Sequence, residues 1–167
     1  MELHEALLKR RSIRKYLDKE ISDKNINKLL EAAMAAPSAI NSQPWEFYVI
    51  KDKKVQGKIK GIAPFYNYNS SLLIVVAGNT KRFIKLMKDF WIEDCAAAVE
   101  NILVEATNLG LGTCWCGVYP IKSRMNKISK VLSLDKNIIP YALIHVGYPK
   151  ESKEPRTQSD KKKIHII

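Results

Sequence analysis

The chain has no apolar run long enough to cross a membrane. Its longest strongly apolar stretch, Leu72 to Ala77, falls far short of the roughly 20 residues that a spanning helix needs. The opening MELHEALLKRRS is charged and lacks the apolar centre of a secretory signal, which points to the cytoplasm. Cysteine is scarce: Cys95, Cys114 and Cys116 are odd in number and sit in apolar surroundings, as reduced thiols do rather than a disulfide framework. Cys114 and Cys116 form a C-x-C pair, but no second pair and no histidine cluster completes a zinc site, so no metal is expected. The three histidines, His4, His145 and His165, are scattered, and no Ser/His/Asp or Cys/His set presents itself. There is no Walker-type loop, and the GLG at 110–112 is not followed by the rest of a G-x-G-x-x-G fingerprint.

What is present suits an ordinary globular chain. The 167 residues fit one domain over 1–167, with 46% apolar and 27% charged residues and no internal repeat or linker. The net charge of +11 admits a polyanion-binding protein. The excess is mostly scattered lysine, however, and the one lysine triplet is Lys161 to Lys163, which reads as a solvated surface. A nucleic-acid binder would also need an aromatic-rich RNA motif or a recognition helix, and neither is evident.

Periodicity places the elements. Leu3, Ala6, Leu7 and Leu8 make an apolar stripe on a short helix over 3–10. Ser22 caps a second helix, whose Ile26, Leu29, Leu30, Ala33 and Met34 share a face and which Pro37 ends. WEFYVI at 45–50 reads as a strand, and SLLIVVA at 71–77 as a central strand buried on both faces. A long helix runs from about Trp91 to Asn108 with a stripe wide enough for deep burial or a subunit interface, and Gly110 and Gly112 stop it. TCWCGVY at 113–119 is a strand or a loop edging one; a helix near 122–132 and a strand at 141–146 follow. Helices and strands mix without a βαβ rhythm, so the fold class is α+β, with helices around one sheet. The arm from about 150 to 167 is too polar for its own core, yet it ends in Ile164, Ile166 and Ile167, an apolar finish that suggests docking.

Four segments could carry chemistry. In RRSIRKY, extended backbone would set Arg10, Ser12 and Arg14 on one side. Two guanidiniums and a hydroxyl suit a phosphate, although a basic helix end stabilised by the macrodipole explains the same residues. In APSAINSQPWEF, Ser38, Asn41 and Gln43 offer polar groups on a loop before a strand, as ligand-holding loops do and as plain turns also do. In GLGTCWCGVYP, small residues beside Trp115 allow a flat ligand to approach the backbone. The fourth segment is GYP followed by Arg156.

Taken together, the Arg-Arg-Ser-x-Arg start, the APSxxNxQPW loop and a long helix running into GLGTCW resemble the nitroreductase family of flavoproteins, from Glu2 to about Lys163. That resemblance implies a mostly antiparallel central sheet surrounded by helices, in an intertwined homodimer with two FMN sites between subunits. It implies that Arg10, Arg11, Ser12 and Arg14 bind the FMN phosphate and neighbouring atoms. Pro37, Ser38, Ala39 and Asn41 would reach the flavin from the other subunit. Trp115, Cys116 and Gly117 would lie along the isoalloxazine, and Arg156 would return to the phosphate. Gln43 could face cofactor or substrate. The implied activity passes hydride from NADH or NADPH through flavin N5 to an electron-poor small molecule such as a nitroaromatic or quinone, with no catalytic side chain. Other readings are dehalogenation, flavin fragmentation, oxidation of peptide-derived rings, and flavin storage with little turnover. The chain is short between Ile62 and Leu72 compared with longer members. There Tyr66, Asn67 and Tyr68 either cover the flavin or fill a loop.

Overall fold

A computed structural model describes residues 1–83 and 89–167. The chain runs α1 (Leu3–Lys9), α2 (Asp23–Met34), β1 (Trp45–Ile50), α3 (Lys53–Lys60), β2 (Leu72–Asn79), α4 (Phe90–Asn108), β3 (Gly112–Gly117), α5 (Lys122–Leu132) and β4 (Ile138–Gly147). The strands form one sheet in the order β1-β2-β4-β3, with every pairing antiparallel. The α+β class expected from the pattern is therefore the class observed.

The central strands β2 and β4 are buried on both faces. On one, alternate residues such as Ile74, Val76, Ile144 and Val146 pack against Leu29 and Ala33 of α2 and Cys95, Val99 and Ile102 of α4. On the other, Leu73, Val75 and Leu143 meet Ile59 of α3, Tyr66 and Ile128 of α5. Two covered faces explain why β2 is a continuous apolar run rather than an alternating one. Each fully buried aliphatic side chain contributes roughly 1.5–3 kcal/mol, so the central strands β2 and β4 anchor the fold.

Local signals set the helix ends. The Ser22 side chain accepts from the Asn25 N–H at the start of α2, a cap contributing about 1 kcal/mol. Past α4, Gly110 takes φ +70°, which glycine accepts without strain. Helix α3 has no counterpart in the sequence reading. Its KKVQGKIK turns Val55, Gln56, Ile59 and part of Lys60 inward, and the buried Gln56 Nε2 donates to Ile50 O and Ser71 O, both at 2.9 Å. An apolar stripe that narrow gives little periodicity. Strand β4 begins three residues earlier than 141, because Pro140 sits where the register slips between Val76 and Ala77. A bulge tolerates the missing N–H. Among the described residues no helix is long and apolar enough to cross a membrane.

Candidate functional site

Residues 10–16 leave α1 and run along the outer edge of β3. Ser12 bridges Thr113 in parallel, and the Ile13 N–H donates to Thr113 O at 2.8 Å. Two glycines make this close approach possible. A Cβ on Gly112 would stand 2.9 Å from Ile13, and one on Gly147 would stand 2.7 Å from Tyr16 Cδ1. Ile13 and Tyr16 are buried there, and Tyr16 Oη donates to Ile13 O at 2.5 Å.

The four basic and polar residues of this segment part company. Arg10 Nε pairs with Glu100 Oε1 of α4 at 3.0 Å. Arg14 has Tyr68 as its first partner and Cys114 beside it, and both raise its pKa. Arg11 turns the other way, donating to Glu154 O, and lines a cavity of about 380 Å³ with Lys9, Ile13, Thr107, Leu111 and Lys153. That cavity does not reach Ser12, Trp115 or Gly117.

The C-terminal arm closes over the same segment. The Arg156 N–H donates to Leu8 O at 2.8 Å, Lys153 Nζ donates to Ser12 O at 2.5 Å, and Glu151 Oε1 accepts from the N–H of Arg14 at 2.6 Å. Those contacts hold Glu151 below the usual carboxylate range, the Arg14 N–H first. Arg156 is thereby brought back beside the end of α1, where Arg10 and Ser12 begin. Its Nε is buried and, like that of Arg11, has no protein partner. Guanidiniums and a hydroxyl are donors that a phosphate dianion takes, and the Nε atoms of Arg11 and Arg156 are both unpaired.

Next to this cluster, β3 leaves one face open. Trp115 and Gly117 are exposed, a Cβ on Gly117 would meet nothing within 4 Å, and the Trp115 ring leans on Tyr141 at 6.0 Å. The side chains of Cys114 and Cys116 point to the opposite face and are buried. Gly117 O is held from that side by Tyr66 Oη at 2.7 Å and Arg124 at 3.0 Å. The segment at 62–69 packs under β3. Tyr66 is fully buried, and Asn69 exchanges two hydrogen bonds with the backbone of Tyr16, at 2.7 and 3.1 Å.

The loop 37–43 lies elsewhere. It precedes β1, at the other edge of the sheet, three strand spacings or about 14 Å from β3. Its backbone is strained: Ile40, Asn41 and Gln43 have φ of 48°, 58° and 46°, uncommon for any non-glycine residue and more so for a β-branched one. Buried Asp94 on α4 holds the loop, accepting from the Ala39 N–H at 2.9 Å and from Ser42 Oγ at 3.5 Å. Ser38 Oγ accepts from the Gln43 N–H at 3.0 Å, and Gln43 Nε2 donates to Asn41 Oδ1 at 3.0 Å. Ile40 is left 73% exposed. The residues expected at the site therefore fall into two groups in one chain: Arg10, Ser12, Arg14, Trp115, Gly117 and Arg156 towards the β3 edge, and Pro37, Ser38, Ala39 and Asn41 towards the β1 edge.

Asp94, Glu151 and Lys153 brace these two segments without having been read from the sequence. The one available signal was an acid inside the apolar stripe of α4. Among the described residues no group of three or more His, Cys, Asp or Glu is placed to hold a metal ion.

The comparisons decide the family. The model of the nitroreductase family matches residues 7–91 and 85–148. The chain belongs to the nitroreductase family. A Methanothermobacter thermautotrophicus protein, provisionally named NADH dehydrogenase/NAD(P)H nitroreductase, is 36% identical over 166 residues, covering 99% of this chain and 87% of that protein. The fold is similar to that of an FMN-dependent nitroreductase from Clostridium difficile, with a TM-score of 0.88, 32% identity and 96% of each chain covered. It is also similar to a provisionally named nitroreductase from Desulfovibrio desulfuricans solved in complex with FMN. There the TM-score is 0.78 and the identity 29%, with 93% of this chain and 92% of that one covered.

Proposed function

We propose that this nitroreductase-family chain is an FMN-dependent oxidoreductase that works as a cytoplasmic homodimer, a single 1–167 domain with its arm, moving hydride from NADH or NADPH to an electron-poor small molecule such as a nitroaromatic or quinone. The observation that carries the reading is the 10–14 segment running along β3 beside the open Trp115–Gly117 face, with the backbone of Arg156 returned to the end of α1. Relatives named as NAD(P)H nitroreductase and FMN-dependent nitroreductase support it.

The residues fit the cofactor. Arg10, Ser12 and Arg156 would hold the phosphate, and the unpaired Arg156 Nε is a donor awaiting an acceptor. Arg14, a permanent cation beside Tyr68 and Cys114, would favour negative charge on a bound ring. Trp115 and Gly117 would flank that ring, and Cys116 would contribute backbone only. Arg11, committed to Glu154 O, would add charge from behind. When bound, FMN would supply the hydride chemistry, and the protein would bind, orient and tune it.

The second subunit would supply Pro37, Ser38, Ala39 and Asn41, since one chain keeps these at the far edge of the sheet. Exposed apolar groups favour such a partner: Leu3, Leu7 and Leu8 on α1, Ile40, and Ile164, Ile166 and Ile167 at the end of the arm. The three free thiols suit a reducing compartment.

The test is steady-state oxidation of NADH and NADPH with a nitroaromatic, a quinone and a halogenated phenol in turn, beside the mass of the protein in solution. Turnover with the first two acceptors by a dimer is expected. Slow oxidation with every acceptor would overturn the enzyme in favour of flavin storage. An active monomer would overturn the shared site.

A further inference from the structure

Lysines that lie scattered along the sequence are gathered by the fold. Helices α3 and α5 cover the same face of the sheet and lie side by side. Together they carry eight lysines and arginines and no aspartate or glutamate. Helices α2 and α4, on the opposite face, carry two lysines and six acids. The two sides of one sheet thus differ in sign. Lys54, Lys58, Lys122, Lys127 and Lys130 are exposed, and among the described residues none of them is in an ion pair. The acids that flank the two helices in sequence are Asp52 and Asp135. Asp52 caps α3, accepting from the Val55 N–H at 2.8 Å.

This distribution works against the helices that bear it. Lys53 and Lys54 occupy the first turn of α3, and Lys122 and Arg124 that of α5, with no acid in either turn. The positive end of the helix dipole repels them. Lys54 and Lys58 are four apart, and Lys127 stands three from both Arg124 and Lys130, spacings at which like charges face each other. Burial first, and then the charge of Lys53, lowers the pKa of Lys60. Cations set against the helix dipole and against one another serve something other than the fold.

The middle and the edge of this face narrow what it can hold. Phe65 is exposed, its ring 4.5 Å from the Arg124 guanidinium, and Ile121 at the start of α5 is exposed too. Beside them Lys60, Pro64 and Asn67 line an open cleft of about 450 Å³. A small apolar centre rimmed by cations suits a protein surface better than a phosphate backbone. At the edge, Arg124 donates to Gly117 O at 3.0 Å, so the face adjoins the open side of β3. We propose that the α3–α5 face docks an acidic protein that carries single electrons on an iron–sulfur cluster, and that it docks it beside the flavin. This rests on the flavin reading above. Opposite charge steers the encounter, and a small interface lets the carrier leave once its electron has passed. Two encounters each oxidise one reduced cluster by one electron. With one proton from solvent they leave on the ring the hydride equivalent that a nicotinamide delivers in one step.

The protein as isolated is titrated by calorimetry with an oxidised plant-type [2Fe–2S] ferredoxin, an acidic carrier of low potential. This arm needs no flavin, so its outcome is separate from that of the flavin reading. Expected is one ferredoxin per chain, with binding weakened at least about tenfold between about 20 and about 200 mM salt. Lys58→Glu combined with Lys127→Glu should weaken it at least about tenfold at the lower salt. Lys24→Glu combined with Lys28→Glu makes the same change of net charge on α2 and should leave binding as it was. In a second arm, reduced ferredoxin is mixed without air with the FMN-loaded protein. The flavin bands should bleach, more slowly in the α3–α5 variant, while NADH or NADPH bleaches parent and variant alike. No binding at the lower salt, or equal loss in both double variants, would overturn the proposal. So would tighter binding of a DNA duplex or of phosphatidylserine vesicles that the α3–α5 reversals abolish, and so would a bound ferredoxin that leaves the flavin oxidised.

Discussion

Replacing His145 with glutamine removes a titrating group that the fold keeps neutral. The ring is fully buried: Nδ1 is 2.7 Å from Ser70 Oγ, Tyr68 packs edge-on at 5.1 Å, and Nε2 is buried with no partner. Burial first, then the nearby Lys60, pushes its pKa down from 6.5 to about 3. Between those values the unfolded chain holds a proton that the folded chain refuses, so stability falls as pH falls. One proton sets a limiting slope of about 1.4 kcal/mol per pH unit, which integrates to about 2 kcal/mol between pH 7 and pH 5. Urea unfolding followed by circular dichroism at the two pH values, at fixed protein and flavin concentration, measures it. The glutamine variant should lose about 2 kcal/mol less than the parent over that interval. Glu151, whose folded pKa is lowered, stabilises above its unfolded value and loses that effect as pH falls through its folded value, below the window used and equally in both proteins. Identical pH dependence in parent and variant would refute the reasoning.

Further outcomes follow from single contacts. Arg10→Ala should weaken FMN binding by about 1.5–3 kcal/mol, roughly 10–100-fold by fluorescence titration; unchanged affinity would remove Arg10 from the phosphate site. Gly147→Ala places a methyl group 2.7 Å from Tyr16 Cδ1 and should destabilise by about 1–3 kcal/mol in thermal or urea unfolding. Asp94→Ala takes the acceptor from the Ala39 N–H, should cost about 1–3 kcal/mol, and should speed hydrogen exchange at that amide. Mixed dimers of Arg10→Ala and Asn41→Ala chains should recover one intact site of two, whereas either variant alone has none; no recovery on mixing would contradict a site shared between subunits.

Much of this was legible before any coordinates. Strand β1 was read at its observed bounds, because WEFYVI is aromatic and β-branched between turn residues. The core strand β2 and the long α4 declared themselves by an apolar run and a wide stripe. Helix α3 did not, since its buried face rests on Gln56 hydrogen bonds rather than apolar periodicity. At the site, Arg10, Ser12 and Arg14 were expected on one side by period two, yet long side chains choose partners three-dimensionally, and Arg10 found Glu100 while Arg14 found Tyr68. No local pattern could announce Asp94 bracing a loop 55 residues earlier, or Arg156 returning to Leu8. The distance between loop 37–43 and β3 was equally invisible, because strand order is a property of the folded sheet.

The most direct test of the central claim is the visible spectrum of the purified protein, recorded without air before and after addition of NADH or NADPH. Flavin bands that match one FMN per chain and bleach on addition are the predicted result, with the faster donor naming the nicotinamide. A colourless protein that takes up no FMN on incubation would contradict the account.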